Sequence, residues 1–132
     1  MLNYRCTSSA SAIQGTGVFA AENIAARAKI GEVTGELISI RTARRRAKGS
    51  CRMCLIDVSD IRALDCTQGN VLKHLNHSCG SNAFLRIIRE RVEVYARKAI
   101  RRGEEITVDY GVSPHTGGMK CSCGHRNCRD RI

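Results

Sequence analysis

The sequence predicts a single, mainly β domain built of short strands. Three observations lead there: 132 residues suit one compact unit, strand-forming runs recur between turn formers, and helix-forming stretches are few and short. In chain order the expected strands are Gly17–Ala20, Ile30–Thr34, Glu36–Ile40, Met53–Val58, Ile61–Cys66, Phe84–Ile88, Arg91–Ala96 and Glu105–Val108. Turn formers separate them at Gly15–Gly17, Gly35, Ser59–Asp60, Gly69–Asn70, Gly80–Asn82 and Gly103. Two short segments read as helical: Thr42–Lys48, rich in Ala and Arg, and Val71–Leu75. Ile87, Ile88, Val92 and Val94 are expected to supply core, and Ser113–Lys120, polar and holding the only proline, to leave it as a hinge.

No apolar run reaches the roughly 18 residues of a membrane span, and no basic segment followed by an apolar stretch opens the chain. The expectation is a soluble intracellular protein with no membrane partner. The formal net charge is +10, with basic residues dense at Arg41–Arg52, Arg86–Lys98, Arg101–Arg102 and Arg126–Arg131. Such an excess favours acidic partners, either nucleic acid or an acidic protein. The run RTARRRAK also reads as a nuclear address.

Eight cysteines without an export signal point to reduced thiols or a bound metal rather than a disulfide framework. Cys121, Cys123 and Cys128 crowd into the tail KCSCGHRNCRDRI, where Gly124 permits a tight turn. Three thiolates facing one ion imply structural zinc, which is tetrahedral and needs a fourth ligand, from His125 or from a cysteine distant in sequence. Cys51 and Cys54 also have Cys-x-x-Cys spacing, but they sit beside Met53 and Leu55 in an expected strand and read as buried structural cysteines.

The segment GNVLKHLNHSCGSN, residues 69–82, concentrates Asn70, His74, Asn76, His77, Ser78, Cys79 and Asn82 in one stretch. Such polar density inside a strand-rich domain is best explained as a ligand-binding turn, and its Cys79 is a candidate for the missing zinc ligand. A second segment, IRRGEEITVDYG, runs from a glycine turn through Glu104 and Glu105 into a strand ending at Asp109 and Tyr110. A third, IQGTGVFAAENI, carries Gly15-Thr16-Gly17, where backbone amides can approach a ligand closely.

In this order these segments resemble the SET domain, the fold of most protein lysine methyltransferases. The resemblance runs from about Ser11 to Arg129 and takes in GTGVFA, GEL, GNVLKHLNHSC, RVEVYARKAIRRGEEITVDYG and a cysteine tail similar to the post-SET segment. It implies a β-clip fold of small sheets with a C-terminal pseudoknot, a SET domain over residues 1–112 and a zinc-binding post-SET segment over 113–132. It implies S-adenosylmethionine as methyl donor, bound by Gly15, Thr16, Gly17, Asn76, His77 and Tyr110, with Tyr110 as the catalytic residue. One structural zinc ion is implied on Cys79, Cys121, Cys123 and Cys128, and the implied partner is a protein presenting a lysine, such as a histone.

The sequence departs from the family at two positions that usually carry aromatics lining the lysine channel, here Val33 and Val108, which with Tyr95 are the expected channel residues. Arg27 stands where glycine is usual. Glu90 and Glu93 are expected to offer an acidic groove to a basic substrate. The competing readings are a catalytically silent SET-like module that binds S-adenosylmethionine or a partner, and a basic zinc protein that binds nucleic acid.

Overall fold

A computed structural model of the chain describes residues 2–13, 15–48 and 55–109. Tyr110, the cysteine tail, the expected hinge, the boundary at 112, Cys51 and Cys54 lie outside the described residues. The strands are β1 (Cys6–Ala10), β2 (Thr16–Ala20), β3 (Lys29–Val33), β4 (Glu36–Ser39), β5 (Leu55–Asp57), β6 (Arg62–Asp65), β7 (Asn76–His77), β8 (Ala83–Ile88), β9 (Arg91–Ala96) and β10 (Glu105–Val108). One α-helix, α1 (Ile40–Lys48), and a 3₁₀ turn, Val71–His74, complete the described elements. This is the mainly β architecture that the composition predicts.

The strands form three small sheets, ordered β1-β2-β10-β7, β3-β9-β8 and β4-β6-β5. Pairing is antiparallel except between β10 and β7, which run parallel with Thr107 opposite Asn76 and Val108 opposite His77. Because β7 precedes β10 by a long stretch of chain, that parallel pair is where distant segments meet. The main core gathers Val18, Ile24, Ile30, Leu72, Val92, Val94, Ile100 and Ile106 from the first two sheets and their connections. A smaller cluster of Ile38, Ala43 and Ala63 lies between α1 and the third sheet.

Val92 and Val94 are fully buried, as expected, but Ile87 is 43% exposed and Ile88 only half-buried. Their strand, β8, is the edge of its sheet among the described strands and is paired on one side only. Two strands went unread in the sequence: β1, whose CTSSA lacks apolar alternation, and the two-residue β7. The expected strand to Ile40 ends at Ser39 instead, where the serine hydroxyl accepts from the Thr42 amide at 3.1 Å and starts α1.

Of the described cysteines, Cys6 carries a free thiol and Cys79 Sγ lies 3.3 Å from His77 Nε2, whereas Cys66 is buried and disulfide-bonded, a departure from the reduced state expected of it. Burial and the nearby Glu22 push the Cys6 thiol up to about 11, which keeps it protonated and unreactive. Arg27 adopts φ +65°, so the backbone makes there the demand that glycine meets most easily.

Two loops that support the site are pressed together. Asn70 caps the 3₁₀ turn through its side chain, which accepts from the Leu72 amide and donates to the Glu32 carbonyl at 2.8 Å; its own amide donates to Thr34 Oγ1 at 2.8 Å. A Cβ on Gly69 would fall inside contact distance of the Thr34 carbonyl oxygen, a backbone atom that cannot swing aside. Gly69→Ala is therefore expected to lose about 1–3 kcal/mol of stability, as overpacking does. A denaturant midpoint lowered at constant m-value checks it.

Two buried carboxylates hold the sheets by charge. Glu93 accepts from Lys29 Nζ at 2.8 Å, and that hydrogen bond keeps its carboxyl below the usual range while raising the Lys29 ammonium. Asp65 is lowered by its hydrogen bond with Thr67 and by Arg46, whose Nη1 lies 2.7 Å from Asp65 Oδ2 and 2.7 Å from Glu36 Oε1. Carboxyls depressed by folding stabilise the native state fully above their unfolded values, about 4, and lose that contribution as pH falls through the native ones. The expected result is a denaturant midpoint flat from pH 7 to about 5 that falls steeply below about 4, with the fall shallower in Glu93→Gln.

Candidate functional site

The β1–β2 hairpin closes with Ala10 paired to Thr16. Gly15 sits at φ +45° with open space where a side chain would be, so its backbone is approachable from outside. The turn is held by Ser11: its amide donates to the Gly15 carbonyl at 2.8 Å, and its hydroxyl accepts from the Ile13 amide at 2.9 Å. The same hydroxyl donates to Glu105, 2.8 Å from Oε1 and 2.9 Å from Oε2.

Glu105 opens β10, the strand between β2 and β7, and reaches both neighbours. Asn76 Nδ2 donates to Glu105 Oε2 at 3.0 Å and to the Thr16 carbonyl at 3.3 Å. A Cβ at Gly17 would collide with the Glu105 carboxylate, so a side chain there would displace the carboxylate from this position. One carboxylate thus fixes the glycine turn and Asn76 against each other. In the sequence Glu105 is only one of an acidic pair, and spacing alone does not reveal a contact across a gap of 94 residues.

The polar segment after the 3₁₀ turn clasps β10. The Ser78 amide donates to the Val108 carbonyl at 3.0 Å. Asn82, 7% exposed, donates from Nδ2 to the Glu105 carbonyl at 2.8 Å and accepts from the Thr107 amide at 2.9 Å. His77, 5% exposed, lies with Nε2 3.3 Å from Cys79 Sγ and Nδ1 3.7 Å from Asp109 Oδ1. Residues 76–82 therefore hold β10 by backbone and side chain up to the residue before Tyr110.

Of the expected site residues, the structure brings Gly15, Thr16, Gly17, Asn76 and His77 together along β2, β10 and β7. Val33 and Val108 are 4% and 1% exposed and share the main core. Tyr95 does not join them. It pairs with Lys29 and Phe84, on the face of β9 opposite that of Val92, Val94 and Val33. There its hydroxyl donates to Glu93 Oε1 at 3.3 Å, and its ring stacks on Phe84 with centroids 5.7 Å apart.

The acidic groove expected of Glu90 and Glu93 is corrected: Glu90 pairs with Arg62 at 3.1 Å and Glu93 with Lys29, so cations of the chain already answer both. Among the described residues no group of three His, Cys, Asp or Glu side chains is placed to hold a metal, and three of the four expected zinc ligands lie outside those residues. No helix among the described residues is long and apolar enough to cross a membrane.

Comparison with known proteins bears on this arrangement. The SET domain family matches residues 15–111. The chain is 35% identical over 129 residues to the Schizosaccharomyces pombe protein named histone-lysine N-methyltransferase, H3 lysine-4 specific, a match covering 90% of this chain and 14% of that protein. It is 36% identical over 132 residues to human histone-lysine N-methyltransferase 2B, covering 90% of this chain and 5% of the relative. Among solved structures it is similar to a chain of apo ctPRC2 carrying mutations in Ezh2, with a TM-score of 0.76 at 30% identity, over 82% of this chain and 15% of that one. This chain thus spans a small part of the length of these relatives. A glycine turn and an NHSC segment joined across β10, in a fold shared over most of the chain, leave one conclusion: the chain belongs to the SET-domain family.

Proposed function

We propose that the chain is the catalytic domain of a protein-lysine N-methyltransferase that takes its methyl group from S-adenosylmethionine and acts on a lysine of a histone or another chromatin protein. The observation that carries the reading is the Glu105 node, which locks the approachable Gly15–Gly17 turn to Asn76 beside the strand leading to Tyr110. The named activities of the relatives, histone-lysine methylation, support the substrate class and a place in chromatin.

When bound, S-adenosylmethionine supplies an electrophilic methyl carbon on a sulfonium. The open backbone at Gly15 and the adjoining Thr16, Gly17, Asn76 and His77 fit a polar cofactor with amide and carbonyl partners. Tyr110, which the family resemblance assigns as the catalytic residue, would offer its phenolic hydroxyl to the incoming amine and orient it for in-line attack. Free lysine has a pKa of about 10.4 and is mostly protonated at neutral pH, so the apolar surroundings of Val33 and Val108 favour its neutral form by desolvation. No carboxylate is assigned as a general base.

Cys79 would supply one ligand, and the tail spacing of Cys121, Cys123 and Cys128 three more, for one structural zinc ion. Such an ion would tie the cysteine tail to the NHSC segment and would be structural rather than catalytic.

The test is incubation with isotopically labelled S-adenosylmethionine and a broad protein and peptide array that includes histones, read by mass spectrometry, with Tyr110→Phe alongside. Methylated lysines that disappear in the variant are the expected result. Cofactor binding without methylated product would overturn the enzyme reading in favour of a silent binding module, which the absence of aromatics at Val33 and Val108 would then explain.

A further inference from the structure

The net charge of +10 is not spread evenly over committed ion pairs. Arg5, Lys29, Arg46 and Arg62 each face a carboxylate, together engaging Glu22, Glu93, Glu36, Asp65 and Glu90. Helix α1 contrasts with them. It reads IRTARRRAK and contains no acidic residue. Ala43 is buried against Ile38 and Ala63, and Arg46 turns toward Glu36 and Asp65, so those two residues mark the inner side of the helix.

Arg41, Arg44, Arg45 and Lys48 are all exposed and make no ion pair among the described residues. At about 100° per residue they fall within one stripe, and seven residues at about 1.5 Å rise spread them over roughly 10 Å of helix axis. Like charges at spacings of three and four destabilise a helix, and Arg41 in the first turn opposes the helix dipole. A surface helix serving solubility alone would intersperse signs. This one keeps a repulsion that an anionic ligand relieves.

We propose that the outer stripe of α1, Arg41, Arg44, Arg45 and Lys48, is a docking surface for the phosphate backbone of duplex DNA. Duplex DNA offers one negative charge per about 1.7 Å of its axis, so a straight row of cations meets several phosphates at once. Guanidinium forks suit phosphate oxygens. An acidic protein partner fits less well, because the stripe carries no apolar or aromatic anchor of the kind that centres protein interfaces. Single-stranded nucleic acid is disfavoured for the same reason, since α1 offers no ring for bases to stack on. The surface is separate from the Glu105 node, so the proposal stands whether or not the domain transfers methyl groups.

The test is fluorescence anisotropy of a labelled mixed-sequence DNA duplex against the full chain over a salt series, compared with the variant Arg41→Ala/Arg44→Ala/Arg45→Ala/Lys48→Ala. Alanine favours helix, and circular dichroism and melting confirm that the variant folds. Each phosphate neutralised contributes about −0.9 to the slope of log K against log salt, so the expected result is a slope shallower by about 3–4 in the variant and affinity at low salt reduced at least 100-fold. Arg101→Ala/Arg102→Ala, removing two cations elsewhere, should change the slope by less than about 0.5, whereas a change of about 1.8, the full value for two contacts, would mean that binding is not confined to α1 and would overturn the proposal. An unchanged slope in the α1 variant, or equal binding of wild type to polyglutamate and to the duplex, overturns the proposal.

Discussion

Glu105→Ala is expected to lower the affinity for S-adenosylmethionine about 10–100-fold while leaving a folded domain. The carboxylate receives the Ser11 hydroxyl and the Asn76 amide and occupies the space over Gly17, so its removal frees the glycine turn and Asn76 from each other. Hydrogen bonds to a charged group contribute about 1.5–3 kcal/mol each, and about 1.4 kcal/mol is tenfold in affinity. A net loss equal to one such bond from the support of a binding turn gives the stated range. The fold survives because the main-chain links of β10, from Asn82 to the Glu105 carbonyl and the Thr107 amide, do not use the side chain. Glu105→Gln should fall between, since an amide cannot accept from both donors with both ends. Titration calorimetry reads the affinity and a thermal melt reads the fold. A folded Glu105→Ala that binds the cofactor as the wild type does would remove Glu105 from the site.

The fold was legible where local composition and tertiary demand agree. The alternation in β9 and the Gly-bounded run of β10 announce strands, and both form. Where they disagree the sequence misled. CTSSA becomes β1 because β2 offers it a partner, a non-local reason that propensity does not contain. Ile87 and Ile88 look like core, but their strand is an edge, and sheet order is not written in any window of residues.

The site was legible as a set of segments but not as a set of contacts. Polar density around Asn76 and the glycines at 15 and 17 marked the segments that meet. The residue that joins them, Glu105, lay in a run that reads as an exposed strand entrance, because a carboxylate acquires its meaning only from what folding brings to it. Tyr95, expected in the lysine channel, stands by strand alternation on the face of β9 opposite Val92 and Val94, beside Glu93 and Phe84. Register decides face, and one residue of shift reverses it.

Tyr110→Phe is expected to lower kcat for lysine methylation about 100–1000-fold, the effect of deleting one well-placed hydroxyl from a site that works by orientation and electrostatics. The KM for S-adenosylmethionine should change little. The strand that delivers residue 110 is held by the Ser78 amide on Val108, by Asn82 on Thr107 and by the approach of His77 to Asp109, none of which needs the phenol. A packing role for Tyr110 predicts the reverse pattern: a ring without its hydroxyl fills the same space, so kcat would hold and stability would barely move. The two roles therefore separate on a single oxygen. Steady-state kinetics on a peptide found in the methylation array, with cofactor affinity and melting temperature measured in parallel, distinguishes them. Retention of kcat within about threefold would be under 1 kcal/mol of transition-state stabilisation, too little for a catalytic tyrosine, and would move the search to whatever else orients the amine beside Val108.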